Sequence, residues 1–206
     1  MIGALLRRWR YGRPIVVVSG LPRSGTSMMM RMLDAGGVAP VQDGVRAADD
    51  SNPKGYFEFE PVKGLDKDGD RSWLPAARGK AVKIISFLLT WLPEDHNYLV
   101  IFMHRHADEI IASQHAMLTA RGEAIAEGDA ARSRELFRSH LAQVERFMAS
   151  RACFRVLQVQ YHEVVAAPDA AAARVAAFLG RSLDTAAMAQ SVERQLYRQR
   201  VEPGAR

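Results

Sequence analysis

Cysteine is nearly absent from this chain, and its scarcity excludes several classes of protein. The 206 residues contain one cysteine, Cys153, so no disulfide can form within the chain. No set of cysteine and histidine residues has the spacing of a zinc site, and no apolar stretch is long enough to span a bilayer. The apolar part of Leu5-Leu6-Arg7-Arg8-Trp9-Arg10 is too short for a secretory signal. We therefore expect a cytoplasmic protein without a metal or integral membrane contact, beginning with a loose basic arm.

Aromatic residues are also few, and they do not alternate with basic residues. Aromatic side chains make up 8% of the chain, and the formal net charge is +5 at pH 7. A basic balance of this kind suits a polyanionic ligand. An RNA-binding protein would carry a block of arginine and lysine or a stacking platform of aromatic side chains, and the sequence contains neither. We therefore expect a small anionic ligand and no nucleic acid.

Short apolar runs alternate with helical patterns over most of the chain. The apolar runs predict buried parallel strands at 15–19, 81–85, 99–103 and 154–159. The helical patterns lie at 27–35, 107–120, 130–150, 170–179 and 185–197. Residues 38–79 have little periodicity and much glycine, aspartate and proline, which is typical of a long loop that forms the wall of an active site. The whole pattern predicts one α/β domain over residues 1–206, a three-layer sandwich with a central parallel sheet.

A glycine-bearing turn joins the first predicted strand to the first predicted helix. Its sequence is Gly20-Leu21-Pro22-Arg23-Ser24-Gly25-Thr26-Ser27. Backbone N–H groups at such a junction point to one spot, and the helix dipole adds partial positive charge there. Gly20 and Gly25 permit the tight turn, and the Arg23 guanidinium is suited to a bidentate anion. The turn therefore predicts a binding site for a phosphate or sulfate group.

The turn lacks the lysine that nucleoside triphosphatases use. Gly20 and Gly25 have the spacing of G-x-x-x-x-G-K-[ST], but Thr26 stands at the lysine position. The segment resembles instead the P-[KR]-S-G-T-[ST] loop of sulfotransferases that use 3′-phosphoadenosine 5′-phosphosulfate (PAPS). The resemblance implies a P-loop-like fold and a 5′-phosphosulfate site formed by Pro22, Arg23, Ser24, Gly25, Thr26 and Ser27.

Later segments resemble the same family in the same order, and the resemblance spans residues 14–180. Arg105 follows an apolar strand and Ser113 comes eight residues later, which is the spacing of the family's 3′-phosphate site. Tyr161 begins Tyr-His-Glu-Val, similar to the family's Y-E-D-L, whose tyrosine lies against the adenine. Late basic residues close the 3′-phosphate site in the family, and Arg198 is the candidate here, although the family's R-K-G stretch is absent.

The catalytic residues are harder to assign because one family position has changed. Lys83 matches the lysine of the family's K-T-H-L-P segment, but Ile85 stands where cytosolic members have their histidine base. The long loop offers Glu58 in a segment similar to N-P-x-G-[YF]-x-E of bacterial members. Glu60 is a second candidate, because alternate residues of a strand face the same way. The predicted catalytic residues are Arg23, Lys83, Glu58 and Glu60, and aromatic residues that could line an acceptor pocket are Tyr56, Phe57, Phe87 and Trp91.

The resemblance predicts transfer of a sulfuryl group from PAPS to a hydroxyl or amine of a small-molecule, glycan or peptide acceptor. Two other functions stay open at this point. Since the usual histidine base is missing, the chain could be a non-catalytic protein that binds adenosine 3′,5′-bisphosphate or another polyanion. A P-loop-type small-molecule kinase would share the sheet and the turn, but it would bind ATP with magnesium.

Overall fold

A four-stranded parallel sheet forms the centre of the molecule in the computed structural model. The model describes residues 2–45, 55–67, 69–120, 122, 130–193, 195 and 197, with residues 2–5 described by their backbone alone. The strands are β1 (Ile15–Gly20), β2 (Ala81–Lys83), β3 (Tyr98–His104) and β4 (Phe154–Gln160). They lie in the order β2-β1-β3-β4, and every neighbouring pair is parallel. The predicted parallel α/β architecture is thereby confirmed.

Seven α-helices surround the sheet within the described residues. Their bounds are α1 (Ile2–Tyr11), α2 (Thr26–Ala35), α3 (Ala107–Ala120), α4 (Ala130–Ala149), α5 (Tyr161–Ala166), α6 (Pro168–Leu179) and α7 (Thr185–Gln190). The predicted helix at 185–197 is too long, because the chain turns at Ser191, whose hydroxyl donates to the Met188 carbonyl at 2.7 Å. The predicted strand at 81–85 is also too long, because Ile85 already precedes a 3-10 helix, Ser86–Trp91.

Each face of the sheet carries its own apolar core. Along β1, Val16 and Val18 point to one face, whereas Ile15 and Val17 point to the other, as the two-residue period of a strand requires. The first core is completed by α2, α5, α6 and α7, with Met29, Leu33, Val164, Val175 and Met188. The second is completed by α4 and 3-10 helices, with Val62, Leu65, Leu89, Val144 and Met148. Strands covered on both sides read as continuous apolar runs, which is why the sequence predicts them well.

The order of the strands sets the position of a ligand crevice. The chain leaves β1 for β2 on one side and later returns to β3 on the other side of β1. In open α/β sheets, a crevice forms at the carboxyl ends of the strands where the direction of winding reverses. Here that place is the turn between β1 and α2.

Two segments differ from the sequence prediction. The amino-terminal segment is helix α1 and not a loose arm, because the Arg7 guanidinium binds Asn97 Oδ1 at 3.0 Å and the His96 carbonyl at 3.0 Å. The long segment 38–79 contains 3-10 helices at Glu60–Lys67 and Pro75–Ala77, which bury Leu65 and Ala77 in the second core.

Candidate active site

The turn between β1 and α2 has the backbone of an anion cradle. Gly20 has φ 146° and Gly25 has φ 99°, and Arg23 also lies in the left-handed region at φ 71°. A Cβ on Gly20 would lie 2.4 Å from Ser24 Oγ and 2.5 Å from the Met103 carbonyl oxygen, so only glycine fits at this position of the turn. A left-handed arginine is uncommon, and such strain is concentrated at functional sites.

The predicted phosphosulfate residues line this turn and the first turn of α2. Thr26 is the first helical residue and is buried, while Pro22 and Ser27 are half-buried. Ser24 Oγ is buried and has no hydrogen-bond partner among the described residues. A buried hydroxyl beside the amino end of a helix would be satisfied by an oxygen of a bound anion. The cradle therefore fits the phosphate group that the sequence predicts.

The two predicted parts of the cofactor site lie in direct contact. Arg23 Nε donates a hydrogen bond to Ser113 Oγ at 3.0 Å, and an Arg105 Nη donates to the Arg23 carbonyl at 3.2 Å. Arg105 follows β3 directly, and Ser113 lies two turns along α3 and is buried. The Arg105–Ser113 spacing thus brings a second guanidinium and a hydroxyl to the anion cradle.

Arg105 is held by a buried carboxylate and two aromatic rings. Its Nε donates to Glu109 Oε2 at 2.8 Å, and its guanidinium lies 4.6 Å from the Tyr161 ring centroid and 5.3 Å from that of Tyr197. The Tyr197 hydroxyl donates to Glu109 Oε1 at 2.6 Å. Burial and this hydrogen bond raise the pKa of Tyr197 to about 12. Sequence reasoning missed Glu109 and Tyr197, although Glu109 stands one helical turn after Arg105, where an ion pair is expected.

Tyr161, predicted to lie against an adenine, is buried beside the cradle. A Cβ on Gly25 would lie 2.3 Å from Cδ2 of its ring, so the ring packs closely on the turn. Its ring meets that of Tyr197 edge-on, with centroids 5.0 Å apart. Burial raises the pKa of Tyr161, with the Arg105 charge opposing that rise. Arg198, the other residue predicted for the nucleotide, lies outside the described residues.

Lys83 and Glu58 lie together at the carboxyl end of β2. Lys83 pairs in register with Val18 of β1, two residues before the cradle begins at Gly20. Its Nζ donates to the Tyr56 carbonyl at 2.7 Å and lies 3.9 Å from Glu58 Oε1. Both side chains are largely buried, with 11% of Lys83 and 17% of Glu58 exposed. The structure therefore brings the predicted lysine and the first predicted base to one place beside the cradle.

Glu60 is in a different position from the one that strand alternation predicts. Residues 55–59 form neither strand nor helix, Phe57 has φ 51°, and Glu60 begins the 3-10 helix that ends at Lys67. The expectation of a strand through both glutamates is therefore wrong. Lys63 nevertheless bridges them, with Nζ 3.4 Å from Glu58 Oε2 and 2.5 Å from Glu60 Oε1. Glu60 is the more exposed of the two carboxylates, at 45%.

A histidine that the sequence analysis did not consider lies close to the position of the missing base. Ile85 occupies the family's histidine position, and the next residue, Ser86, has its Oγ 2.9 Å from His140 Nε2. The His140 ring stacks on Phe87 with centroids 3.9 Å apart, and burial lowers the pKa of His140. Phe87 and Trp91, predicted to line an acceptor pocket, are each 47% exposed. His140 comes from α4, far away in sequence, so no local motif could have indicated it.

The described residues contain no group of three or more histidine, cysteine, aspartate or glutamate side chains that could hold a metal ion. None of the helices that the structure describes is long and apolar enough to cross a bilayer.

Known proteins resemble this chain in sequence pattern and in fold. Residues 67–185 match the model of a family described as the sulfotransferase family. No curated protein matches the chain. Sulfotransferase STF1 from Mycobacterium tuberculosis H37Rv has a similar structure, with a TM-score of 0.54 at 17% identity, over 93% of this chain and 77% of that one. The sulfotransferase domain from the curacin biosynthetic pathway has a TM-score of 0.53 at 15% identity, over 88% of this chain and 78% of that one.

These likenesses differ in what they establish. At identities of 17% and 15%, the two structures show the P-loop-like α/β fold and not a shared substrate. The family match is a sequence match, and its span of residues 67–185 is more than half of the 206 residues. It includes Lys83, Arg105, Ser113 and Tyr161, whereas the cradle precedes it and is supported by the geometry above. The chain therefore belongs to the sulfotransferase family.

Proposed function

We propose that this protein transfers a sulfuryl group from PAPS to a hydroxyl or amine of a small-molecule, glycan or peptide acceptor. The observation that carries the proposal is the contact between the two anion sites. Arg23 of the cradle binds Ser113, and Arg105 binds the Arg23 carbonyl. A donor with a 5′-phosphosulfate and a 3′-phosphate needs two such sites joined to each other, whereas a ligand with one anionic group needs only the cradle.

The donor would be held by the two sites together. The backbone N–H groups at the start of α2, with Ser24, Thr26 and Ser27, would bind the 5′-phosphate oxygens. Arg105 and Ser113 would bind the 3′-phosphate, and Tyr161 would lie against the adenine. The buried Ser24 hydroxyl without a partner among the described residues supports this assignment. When bound, PAPS would supply the sulfuryl group and the adenosine bisphosphate leaving group.

Charge stabilisation is the first task of the chain's own residues. The Arg23 side chain begins in the cradle, and its guanidinium, which donates to Ser113 Oγ at 3.0 Å, would turn to the oxygen that leaves with the phosphate and neutralise its charge. Lys83, at the carboxyl end of the neighbouring strand, would bind oxygens of the transferred group or of the acceptor. Positioned cations in a site that excludes water act strongly on charge that develops during transfer. The side chain of Lys83 is 11% exposed, which supports such a role.

Removal of the acceptor proton is the second task, and we assign it to Glu58. Its carboxylate lies between Lys83 and Lys63, at 3.9 and 3.4 Å, and is 17% exposed. A base held by two lysines has a fixed direction, which general base catalysis requires. Glu60 is the second candidate, although its carboxylate is more exposed. The half-exposed rings of Phe87 and Trp91 are the candidate surface for an apolar part of the acceptor.

One observation favours a second function, a protein that binds adenosine 3′,5′-bisphosphate without turnover. Ile85 stands at the family's histidine position, so the usual base is missing. Such a protein would need Arg23, Arg105 and Ser113 as arranged here, but it would not need Glu58. For either function we propose a cytoplasmic location, because a single buried thiol is compatible with a reducing compartment.

The experiment is an assay of adenosine 3′,5′-bisphosphate released from PAPS in the presence of phenol, sugar, amine and peptide acceptors. We expect release that depends on one class of acceptor. An Arg23→Gln variant should lower the release at least about tenfold, the effect of one lost charge-assisted contact. Arg138→Gln is the matched control, because Arg138 is an exposed arginine paired only with its helical neighbour Glu135 in the described contacts. Binding of the bisphosphate without release for any acceptor would establish the second function instead.

A further inference from the structure

Helix α1 is fixed to the protein by one side and exposes apolar side chains on the other. Arg7 and Tyr11 lie on the attached side, and Asn97 Nδ2 donates to the Arg7 carbonyl at 3.1 Å in addition to the bonds from the Arg7 guanidinium. Leu6 is 61% exposed and Trp9 is 88% exposed, the highest exposure among the large apolar residues that the structure describes. The hydrogen bonds therefore hold an apolar surface outward that the described part of the chain does not cover.

The sequence of α1 makes this surface a stripe. Leu6 and Trp9 are separated by three positions, which is the spacing of one helical face. The exposed residues Arg8 and Arg10 stand on its two sides. Apolar residues flanked by arginine are the pattern of a helix that lies in the interface of a membrane.

A basic patch continues from the stripe onto the body of the protein. The patch comprises the side chains of Arg8, Arg10, Arg13, Arg78 and Arg181. Arg181 donates to the Gly79 carbonyl at 2.8 Å, and the Arg13 side chain also approaches Gly79. Burial lowers the pKa of Arg181, and the charges of Arg13 and Arg8 add to this effect, which indicates that the three cations are close together.

The acidic residues at the border of the patch already have partners. Glu94 forms an ion pair with Arg151, and Asp95 Oδ1 lies 2.8 Å from His96 Nδ1. Asp95 also interacts with the charge of Arg78, so the two acidic residues offset only part of the positive charge of the five arginines. A surface that combines an exposed tryptophan, a leucine and several arginines is complementary to anionic lipid headgroups above an apolar layer.

We propose that α1 and the basic patch dock the protein on an anionic lipid bilayer, with Leu6 and Trp9 in the interface and the arginines on headgroup phosphates. The docking surface lies at the amino ends of the strands, opposite the candidate active site. Arg7 binds residues that immediately precede β3, and Arg13 lies two residues before β1 begins at Ile15, whereas the cradle follows the carboxyl end of β1. The docked protein would thus keep its cradle open to water, and this inference does not depend on the proposed reaction.

Vesicle co-sedimentation tests the docking, with phosphatidylcholine vesicles compared with vesicles that also contain phosphatidylglycerol. The wild-type protein should bind the anionic vesicles at least about tenfold more tightly at low salt, and high salt should weaken the binding. Leu6→Ser with Trp9→Ser should lower the partition coefficient at least about tenfold, since each change removes apolar area from the interface. Leu136→Ser is the matched control, because Leu136 is 60% exposed on α4, and it should bind like wild type.

Fluorescence provides a second readout that does not require the helix to be disrupted. Trp9 emission should shift to the blue on anionic vesicles, Trp9→Phe should remove the shift, and Trp91→Phe should retain it. Three outcomes would overturn the proposal: no binding by wild type, equal binding by the Leu6/Trp9 and Leu136 variants, or a shift retained in Trp9→Phe. A wild-type dimer in light scattering that the Leu6/Trp9 variant abolishes would also overturn it, because the stripe would then be a face for a second copy.

Discussion

Arg105 is the residue on which the nucleotide assignment depends most. Its side chain is 8% exposed, and its guanidinium is paired with the buried Glu109 and donates to the carbonyl of Arg23. It is thus rigid before any ligand arrives, which reduces the entropy lost when a phosphate binds. The motif spacing in the sequence predicts Arg105 and Ser113, because Arg105 directly follows β3 and Ser113 lies on α3, the helix that comes next.

We expect Arg105→Ala to weaken the binding of adenosine 3′,5′-bisphosphate by about 1.5–3 kcal/mol, the loss of a charge-assisted hydrogen bond. The measurement is a calorimetric titration of the variant beside wild type. Because the change also leaves Glu109 buried without its arginine, the double variant Arg105→Ala/Glu109→Gln separates binding from folding. The double variant should regain thermal stability but not affinity. Equal affinity of Arg105→Ala and wild type would remove Arg105 from the site.

Glu58 is the proposed general base, so its substitution tests the proposed catalysis. Glu58→Gln should leave bisphosphate binding unchanged and lower turnover about a hundredfold or more, the contribution of a general base. Single-turnover rates with an identified acceptor provide the measurement, and Glu60→Gln is the matched control from the same lysine-bridged pair. If the rate of Glu58→Gln equalled that of wild type, the base would have to be Glu60 or a histidine, and His140 contacts Ser86, the residue next to the lost family position.

The buried partners of these residues could not be predicted from the sequence. Glu109, Tyr197 and His140 reach the site from α3, from the end of the chain and from α4. Their positions follow from how helices pack on the sheet, and a single sequence does not contain that information. Strand alternation is a wrong reason for choosing Glu60, since residues 55–59 are irregular and Glu60 begins a 3-10 helix. Glu58 is predicted instead from its resemblance to the N-P-x-G-[YF]-x-E segment.

The junction of β1 and α2 is constrained both by its backbone conformation and by the side chain that packs on it. Gly25 has φ 99°, and the position of its missing Cβ is 2.3 Å from the Tyr161 ring. Gly37, just beyond α2, has φ 90° and open space around the same position. Both glycines therefore have a left-handed backbone that disfavours other residues, but only Gly25 also lacks room for a Cβ.

Gly37→Ala should cost about 1 kcal/mol of stability, since only the backbone conformation is strained. Gly25→Ala should cost about 2–4 kcal/mol, since a methyl group must also displace the Tyr161 ring from a packed site. Chemical denaturation measures both, and bisphosphate titration should show lost affinity for Gly25→Ala only. Equal effects of the two substitutions on stability and on affinity would show that Tyr161 does not pack against the cradle.

The elements that the sequence predicts are those with a strong local pattern. All four strands were located, because buried parallel strands are continuous apolar runs, and α3 was located at both ends. Helix α1 was missed, because it is held by hydrogen bonds from Arg7 to His96 and Asn97, which are distant in sequence. The local sequence shows only that the segment is basic. The 3-10 helices of segment 38–79 were missed, because each is short and buries only one or two apolar side chains, Val62 and Leu65 in the first and Ala77 in the second.

The second core encloses Cys153, the one cysteine of the chain. Cys153 is 3% exposed in the second core, and burial raises its pKa. Its reaction with a thiol reagent requires the thiolate and an opening of the core. We expect the native protein to react about a hundredfold or more slowly than the denatured protein at pH 8. Rapid reaction of the native protein would mean that this face of the sheet is less closed than the structure has it.

The cradle and Arg105 meet at the carboxyl ends of the strands, and we infer that they form one nucleotide site there. Calorimetric titration with adenosine 3′,5′-bisphosphate beside ATP with magnesium measures this directly. We expect a clear preference for the bisphosphate, with a dissociation constant of about a micromolar or lower, equivalent to about −8 kcal/mol. A preference for ATP with magnesium, or no binding of either nucleotide, would show that the cradle and the Arg105–Ser113 pair do not form one nucleotide site.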